Sequence, residues 1–544
     1  MRPVLPRLTV ALAMTADLIL TGGPIYTVDP ARPRVEAIAI AAGRIQLAGD
    51  TASVLALKGQ NTRVIDLTGR AAVPGLIDAH GHISGLGFAA ARLDLTGTTS
   101  AAQIAALVKA RAATLPEGRW IRGRGWDQND WKEKAFPTAE ALDAAAPAHP
   151  VLLDRVDGHA VWVNTAAMRL AGITKSTPDP PGGRIVRDAS GEATGVFVDA
   201  AEGLIASKAP PPTRQELREA LSAGMQRCLA AGLTGVHDAG VDAAALSVYR
   251  ELLVDGVTPF RVYAMLSDDE TLVAERFGKG PEIGLGDGRL TVRSVKMYMD
   301  GALGSRGAAL LAPYSDDAAN SGLQITTPER LADVSRKALA AGFQINVHAI
   351  GDRGNRLALD AMQTALAGRR DARFRIEHAQ VLSLDDIPRF ASLGVIASMQ
   401  PTHATSDMYW AEDRLGAARA QGAYAWRRLL DAGARLACGS DFPVESERPM
   451  LGFYAAITRQ DPKGWPEGGW HPDQRLTRDE ALRCFTLDAA WAAFQEAEVG
   501  SLQQGKRADI TVLSADIMSI PPAAILTTDA VMTIVGGQVA WERK

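Results

Sequence analysis

Short apolar runs alternate with amphipathic stretches through the middle of the chain. Stretches such as RQELREALSAGMQRCLAAG and PERLADVSRKALAAG have apolar residues three and four positions apart and end on glycine, which is typical of helices. The apolar runs between them are strand-like, and the eight of them end at His82, His237, Met265, Lys296, His348, His378, Gln400 and Asp441. This alternation predicts an α/β fold, a (β/α)8 TIM barrel.

The two ends of the chain follow a different pattern. Residues 16–73 and 497–544 contain short strand-like runs, such as DLILTGG and ADITVLS, separated by glycine-rich turns. Each end is too short for a stable sheet of its own, so we expect both to form one small composite β-sandwich domain. The barrel then takes residues 74–496. Within it, residues 93–222 exceed an ordinary loop, and we expect them to form a subdomain over the barrel mouth.

Composition and charge narrow the class of protein. The 544 residues are 47% hydrophobic and 22% charged, which is ordinary for a large globular protein. A net charge of −4 and a pI of about 6.2 give no basic surface for nucleic acid, and no apolar run is long enough to cross a membrane. We therefore expect a small-molecule substrate. The assembly state stays open, with a homodimer as one candidate.

The cysteines and the N-terminus bear on the compartment. Cys228, Cys438 and Cys484 are few, odd in number and widely spaced, which predicts no disulfide framework and a reducing compartment. Residues 1–15 contain two arginines and a short apolar stretch, as in a weak signal peptide, which would make the protein periplasmic or secreted. The alternative is a natural start at Met14, just before the first strand pattern. We favour that start and a cytoplasmic protein.

Histidines and an acid occupy equivalent positions at the strand ends. GLIDAHGH ends in His80 and His82, which the period of two of a strand places on one face. A lone His-x-His is weak evidence, because paired histidines also occur in ordinary cores. However, His348 follows FQINV, His378 follows RFRIE and Asp441 follows RLACGS. The repeated position predicts that these side chains share one cavity at the top of the barrel.

Six motifs in order carry a resemblance to a known family. They are PGLIDAHGHI, VKMYMDGALGSR, INVHAIGDRGN, RIEHAQ, CGSDFP and GKRADITVLS. With them the chain resembles the amidohydrolase superfamily of metal-dependent hydrolases, in the branch of YtcJ and the N-substituted formamide deformylases. The combination is specific, although no single motif is. The resemblance implies hydrolysis of a carbon–nitrogen bond other than a peptide bond by metal-activated hydroxide.

The resemblance also implies a set of metal ligands. In this sequence they would be His80, His82, Lys296, His348, His378 and Asp441. The first two histidines and the aspartate would bind one divalent ion, the other two histidines a second, and the lysine, carboxylated to a carbamate, would bridge them. Imidazole and carboxylate ligands suit Zn²⁺. The aspartate would also act in catalysis, as general base and then general acid.

The role of Lys296 leaves alternatives open. An ammonium group has no lone pair, so Lys296 can join a metal site only as a free amine or a carbamate. It could instead pack in the barrel and pair with Asp300 or Glu377. On the same barrel, a Schiff-base aldolase or isomerase would use Lys296 as nucleophile. A non-catalytic metal-binding protein is a third alternative, but it would need no proton carrier such as Asp441.

Two further residues are candidates for catalysis. His159, in DGHAVWVN of the inserted segment, matches a family motif and either orients the substrate or caps a turn. Arg306 lies on the glycine-rich loop GALGSRG, from which its guanidinium could reach a substrate carbonyl or carboxylate. His237 ends a barrel strand but is more typical of a structural histidine. His149 and His471 are flanked by prolines in loops, as surface residues are.

The substrate pocket is expected to be apolar. The residues predicted to line it are Trp126, Trp162, Met297, Tyr298, His403, Tyr409 and Trp410. Such aromatic and thioether side chains favour an apolar or N-substituted substrate. The alternative is that the tryptophans of the inserted segment, Trp131 among them, form the core of that subdomain.

Overall fold

A computed structural model of the protein describes residues 15–89, 92–256 and 259–544. The two N-terminal alternatives, a signal peptide or a start at Met14, fall on residues 1–15 and lie, but for residue 15, outside the described residues. Within the described ranges, none of the helices combines the length and the apolar character needed to cross a bilayer.

Eight parallel strands form the barrel, each paired with the next in chain order. They are Leu76–Gly81, Leu233–Val241, Arg261–Ser267, Leu290–Tyr298, Gln344–Ala349, Arg375–His378, Ile396–Met399 and Arg435–Cys438. The last strand meets the first just beyond the ladder, because the Asp441 N–H donates to the His80 carbonyl at 2.7 Å. The fifth strand is buried along its whole length, as expected of a parallel strand covered on both faces. The predicted eight-strand α/β barrel is thus confirmed.

Helices surround the barrel, and both stretches predicted to be helical are helices. Arg214–Ala230 starts with a capping box in which Thr213 and Glu216 bind each other's backbone N–H. Pro328–Ala341 ends at Gly342, which adopts a φ of 80°. The others around the barrel are Ile83–Ala89, Ala243–Val254, Glu270–Lys279, Leu285–Gly288, Asp352–Leu366, Ile387–Leu393, Pro401–Asp407, Ala411–Ala420, Trp426–Asp431, Pro449–Thr458, Arg478–Cys484 and Leu487–Ala492.

The inserted segment builds a six-stranded sheet of its own. Its strands are Leu93–Asp94, Ile121–Trp126, Val151–Arg155, Ala160–Val163, Gly183–Arg187 and Ala193–Asp199, and its helices are Ala101–Ala112, Ala139–Ala145, Thr165–Leu170 and Glu202–Ala206. Trp126, Trp131 and Trp162 are buried and pack against one another, with ring centres 6.2 to 6.4 Å apart. This corrects the pocket assignment of Trp126 and Trp162, because both indoles belong to the core of the inserted sheet.

A third sheet contains strands from both ends of the chain. They are Ala16–Tyr26, Arg34–Ala41, Arg44–Gly49, Lys58–Asp66, Ala71–Pro74, Ile510–Leu513, Ala530–Val535 and Gln538–Glu542, with short helices at Thr51–Leu55 and Pro522–Ile525. The two ends join where the fifth of these strands pairs antiparallel with the sixth. The buried ion pair between Arg261 of the barrel and Asp509 fixes this sheet to the barrel. The predicted domain bounds stay a prediction.

A disulfide corrects the inference drawn from the cysteine spacing. Cys438 ends the eighth barrel strand and Cys484 ends the helix Arg478–Cys484, and the two are bonded although 46 residues separate them. The helix packs against the strand, so the fold brings the two sulfur atoms together. Cys228 is free and buried. The argument for a reducing compartment therefore loses its basis.

Candidate active site

The six predicted metal ligands meet at the carboxyl ends of the barrel strands. Asp441 lies against the histidine pair, with its Oδ1 at 3.0 Å from His82 Nε2 and 3.5 Å from His80 Nε2. The His378 ring is 5.0 Å from that of His80 and 4.6 Å from that of His348. The ligand atoms of His80, His378 and Asp441 fit within 4.8 Å of one another, as a shared metal ion would require.

Three of the histidines are held in the same way. His80, His82 and His378 each place Nδ1 against an oxygen acceptor of the protein. These acceptors are Glu377 Oε2 at 2.5 Å, the Ala239 carbonyl at 2.9 Å and Gln400 Oε1 at 2.7 Å. Since each Nδ1 must donate its proton, the lone pair is left on Nε2. Metal-binding histidines typically have their other ring nitrogen fixed in this manner.

The histidines at the centre of the site are neutral at neutral pH. Burial, followed by the charge of Lys296, lowers the pKa of His80 to about 4. Burial also holds the pKa values of His348 and His378 well below the ordinary range. His348 donates from Nε2 to the Gly301 carbonyl at 3.4 Å, which leaves Nδ1 as its acceptor nitrogen. Neutral imidazoles with free lone pairs fit a divalent cation.

Glu377 was missed as a site residue by the sequence reasoning, which considered it only as a partner of Lys296. Its Oε1 pairs with Arg375 Nε at 2.8 Å, while Oε2 orients His80. Burial alone would raise the pKa of Glu377, but Arg375 and His80 hold it well below its usual range. The acid directly before His378 was a signal, yet only the fold shows which histidine it serves. Arg375 also donates to His237 Nδ1 at 2.9 Å, in line with a structural role for that histidine.

Lys296 lies inside the site without a carboxylate partner among the described residues. Its side chain is buried, and Nζ is 3.2 Å from His80 Nε2 and 4.7 Å from the centre of the Tyr298 ring. Asp300 accepts three backbone N–H groups instead, and Glu377 is paired elsewhere. The alternative in which Lys296 pairs with one of these acids is therefore not what the structure has.

The inserted segment brings His159 to the barrel mouth. The His159 ring is 4.9 Å from that of His348, and its Nδ1 is 2.7 Å from Asp199 Oδ1. Burial alone would lower the pKa of His159, but the hydrogen bond and the charge of Asp199 raise it. The raised pKa favours the protonated form of His159, in which Nδ1 donates to Asp199 and Nε2 is a second donor. Of the two readings of this residue, its place in the cavity favours the one in which it orients substrate.

The glycine-rich loop after Lys296 makes room for Asp199 and, contrary to the prediction, does not bring Arg306 to the substrate. A Cβ atom at Gly301 or Gly307 would collide with the Asp199 carboxylate, so the glycines make room for the partner of His159. Arg306 pairs with Asp316 at 3.0 Å and lines a separate surface pocket. This corrects the assignment of Arg306, because its guanidinium is already engaged and does not line the cavity at the metal site.

A cavity of about 330 Å³ opens between the barrel and the inserted segment and reaches Asp441. Of the residues predicted to bind substrate, His403, Tyr409 and Trp410 line it. Tyr298 lines an adjoining cavity, which shares His159, His348 and His378 with the first. Met297 does not: it is fully buried in the core around the barrel. Because side chains alternate along a strand, Met297 must point away from the interior that holds Lys296.

The cavity wall also holds groups that the sequence reasoning did not single out. Arg155 is buried and pairs with Asp127 and, at 2.5 Å, with Asp157. Asp407 and Glu445 lie on loops and helix ends after the seventh and eighth strands. No motif marks these acids, since acidic residues after a strand are common on any surface.

Comparison with known proteins identifies the family of the chain. A model described as "Amidohydrolase family" matches residues 63–540. The chain is 35% identical to YtcJ of Bacillus subtilis, over 96% of this chain and 99% of that protein, and 29% identical to an N-substituted formamide deformylase of Arthrobacter pascens, over 97% and 98%. The solved structure of an uncharacterized metal-dependent hydrolase from Pyrococcus horikoshii OT3 has a TM-score of 0.75 and 27% identity, covering 93% of this chain and 99% of that one. Since the model and these relatives span nearly the whole sequence, the chain belongs to the amidohydrolase family.

Proposed function

We propose that the protein hydrolyses a carbon–nitrogen bond, other than a peptide bond, in a small amide, with a divalent metal at the barrel mouth. One observation carries the proposal. His80, His82 and His378 each fix Nδ1 on a protein acceptor, which leaves the lone pair on Nε2 within the site. Asp441 lies against His80 and His82, and it lines one cavity together with all three histidines. Metal ligands and a proton carrier are thus together where a substrate can enter.

The residues that would hold the metal offer nitrogen and oxygen atoms as ligands. They are His80, His82, Lys296, His348, His378 and Asp441. Neutral imidazole and carboxylate donors suit Zn²⁺, as one ion or two. A bound ion supplies Lewis acidity, which lowers the pKa of water towards neutrality and polarises a carbonyl oxygen.

The protein's own groups would move the proton and orient the substrate. Asp441 has a carboxylate oxygen 3.0 Å from His82 Nε2 and 3.5 Å from His80 Nε2, at the centre of the site. Asp441 can therefore accept a proton from the attacking water and return it to the leaving amine. His159, held by Asp199, can donate from Nε2 to the substrate oxygen.

The substrate class rests on a relative and on the cavity. The name N-substituted formamide deformylase belongs to a protein that is 29% identical to this chain over nearly its whole length. It supports an amide with a substituted nitrogen as the substrate class here. Leu303, Ile350, Trp410 and Val444 give the cavity an apolar part that suits a hydrocarbon segment.

The proposed activity is expected to appear as amine release from N-formyl and N-acetyl alkylamines by zinc-loaded protein. Alkyl esters of the same chain length are the matched comparison. We expect kcat/KM to be at least about tenfold higher for the amides, because the site would hand a proton to a leaving amine. Chromatography of the derivatised amines measures this. Cleavage of esters alone would contradict the proposal, and so would the absence of amine release from every amide.

We also propose that Lys296 is carboxylated. Its Nζ is buried next to His80 Nε2, and as an ammonium it would repel a metal ion at these ligands. The neutral amine would add to CO₂ with loss of a proton, which turns the head group into an anionic oxygen ligand. The lysine would then need no carboxylate partner.

Lys296→Ala is expected to lose most of its activity and to regain part of it in acetate or propionate. A short carboxylic acid can occupy the space that the lysine leaves and supply the missing carboxylate. Lys296→Met is the matched control, since it fills that space and should not be rescued. A lysine that forms a Schiff base would not be rescued by acids either, and borohydride would trap it with substrate. No rescue by acids together with trapping by borohydride would contradict the carbamate and support the aldolase alternative.

A further inference from the structure

The cavity above the metal site is rich in carboxylates and poor in cations. Besides Asp441 it is lined by Asp127, Asp130, Asp157, Asp407 and Glu445. Among the described residues that line it, Arg155 is the only arginine or lysine. Its guanidinium is taken by two of these acids, Asp127 and Asp157. The remaining acids of the wall therefore face the cavity without a compensating arginine or lysine.

Asp407 and Glu445 are held in place through one oxygen each. Asp407 Oδ2 accepts hydrogen bonds from Gln380 Nε2 at 3.1 Å and from the Tyr424 hydroxyl. Glu445 Oε1 accepts from Ser406 Oγ at 2.7 Å. Within the described part of the chain, Asp407 Oδ1 and Glu445 Oε2 have no donor, and neither residue forms an ion pair. Each carboxylate is thus oriented by the protein and keeps one oxygen for another partner.

An unpartnered histidine lies between these acids and the reaction centre. His403 lines the cavity and is only 8% exposed, yet its Nε2 has no hydrogen-bond partner among the described residues. This nitrogen is 3.9 Å from Asp441 Oδ2, and the ring stacks on His378 with 5.8 Å between ring centres. A buried polar atom of this kind costs free energy unless a ligand satisfies it. The cavity between Asp441 and the two acids is therefore built to hold a polar ligand.

The raised pKa values of Asp407 and Glu445 fit a ligand of positive charge. Burial, with a smaller contribution from Glu445, raises the pKa of Asp407 to about 7. Burial, with a contribution from Asp441, also raises the pKa of Glu445. A positive group placed between them would favour both carboxylates in their charged form.

We propose that Asp407 and Glu445 bind a positively charged group of the substrate, an ammonium or a guanidinium. The inference rests on the proposed amide hydrolysis and narrows its substrate class to amides that carry a cation a few bonds from the cleaved bond. The apolar part of the cavity accommodates the hydrocarbon between the cation and the cleaved amide bond. The same acids repel substrates with a carboxylate, which gives selectivity by exclusion as well as by attraction.

The test compares two formamides of equal length with zinc-loaded protein. N-(4-aminobutyl)formamide ends in an ammonium and N-pentylformamide ends in a methyl group. We expect kcat/KM to be at least about tenfold higher for the ammonium compound. In the double variant Asp407→Asn, Glu445→Gln the ratio of the two values should fall to about one. Glu467→Gln is the control: it removes one carboxylate at an exposed position and should keep the ratio.

Binding of the free amines separates this inference from the proposed function. 1,4-Diaminobutane and pentylamine, which both carry an ammonium, should each bind at least about tenfold more tightly than 1-pentanol in calorimetry, and the double variant should lose the difference. If neither formamide is cleaved but this preference is seen, the amide hydrolysis fails and the cation site stands. If both formamides are cleaved with equal kcat/KM, the cation site is overturned and the hydrolysis stands. If neither cleavage nor a binding preference is seen, both are overturned.

Discussion

Protein stripped of divalent metal is expected to lose its hydrolytic activity by at least about a thousandfold and to regain it with zinc. The cation would supply several kcal/mol of transition-state stabilisation, and each 1.4 kcal/mol is worth about tenfold in rate. His80, His82 and His378 each have Nδ1 fixed on a protein acceptor, so that Nε2 can bind the ion. Elemental analysis of protein grown with zinc should find at least about one ion per chain.

Replacing His80 and His82 together with Ala should remove both the metal and the activity. The barrel is expected to fold all the same, because Glu377 keeps Arg375 as its counter-ion. His471→Ala is the control. It removes a loop histidine that pairs with Glu412, and it should leave zinc content and rate unchanged. Full activity in metal-free protein, or in the double variant, would rule out metal-dependent hydrolysis.

Asp441→Asn is expected to lower kcat by about a hundredfold or more while KM changes little. The amide has the shape of the carboxylate but accepts no proton at neutral pH. Steady-state kinetics on the best substrate measures the split between kcat and KM.

A zinc measurement and a control variant test the interpretation of Asp441→Asn. Zinc content separates the loss of a proton carrier from the loss of a ligand, because Asp441 is a candidate for both. Asp385→Asn makes the same chemical change at an exposed position and should have no effect on turnover. An unchanged rate in Asp441→Asn would leave that residue at most a ligand.

The barrel and the ligand cluster could be predicted because their signals are local and periodic. Apolar runs bounded by helical stretches locate the eight strands, and parallel strands place their carboxyl ends at one mouth. The period of two then puts His80 and His82 on one face. The same rule, applied to Lys296, would have excluded Met297 from the cavity, because neighbours on a strand point to opposite sides.

Other parts of the site depend on contacts between distant segments. The composition of the inserted segment cannot distinguish a tryptophan that lines a pocket from one that fills a core, and Trp126 and Trp162 fill the core. Arg306 follows a site lysine in a flexible-looking glycine loop, but its partner Asp316 is fixed only by the folded loop. Cys438 and Cys484 become neighbours through helix packing.

By itself, then, the sequence determined the barrel, the order of its strands and the residue types at their ends, since these follow from hydrophobic periodicity and chain direction. The tertiary structure decided which groups complete the site. Glu377 orients His80, and Asp199 holds His159 in the space that Gly301 and Gly307 leave free. The physical reason is that hydrogen bonds, ion pairs and close contacts depend on distances of a few ångströms between residues far apart in the chain, and no local pattern encodes those distances.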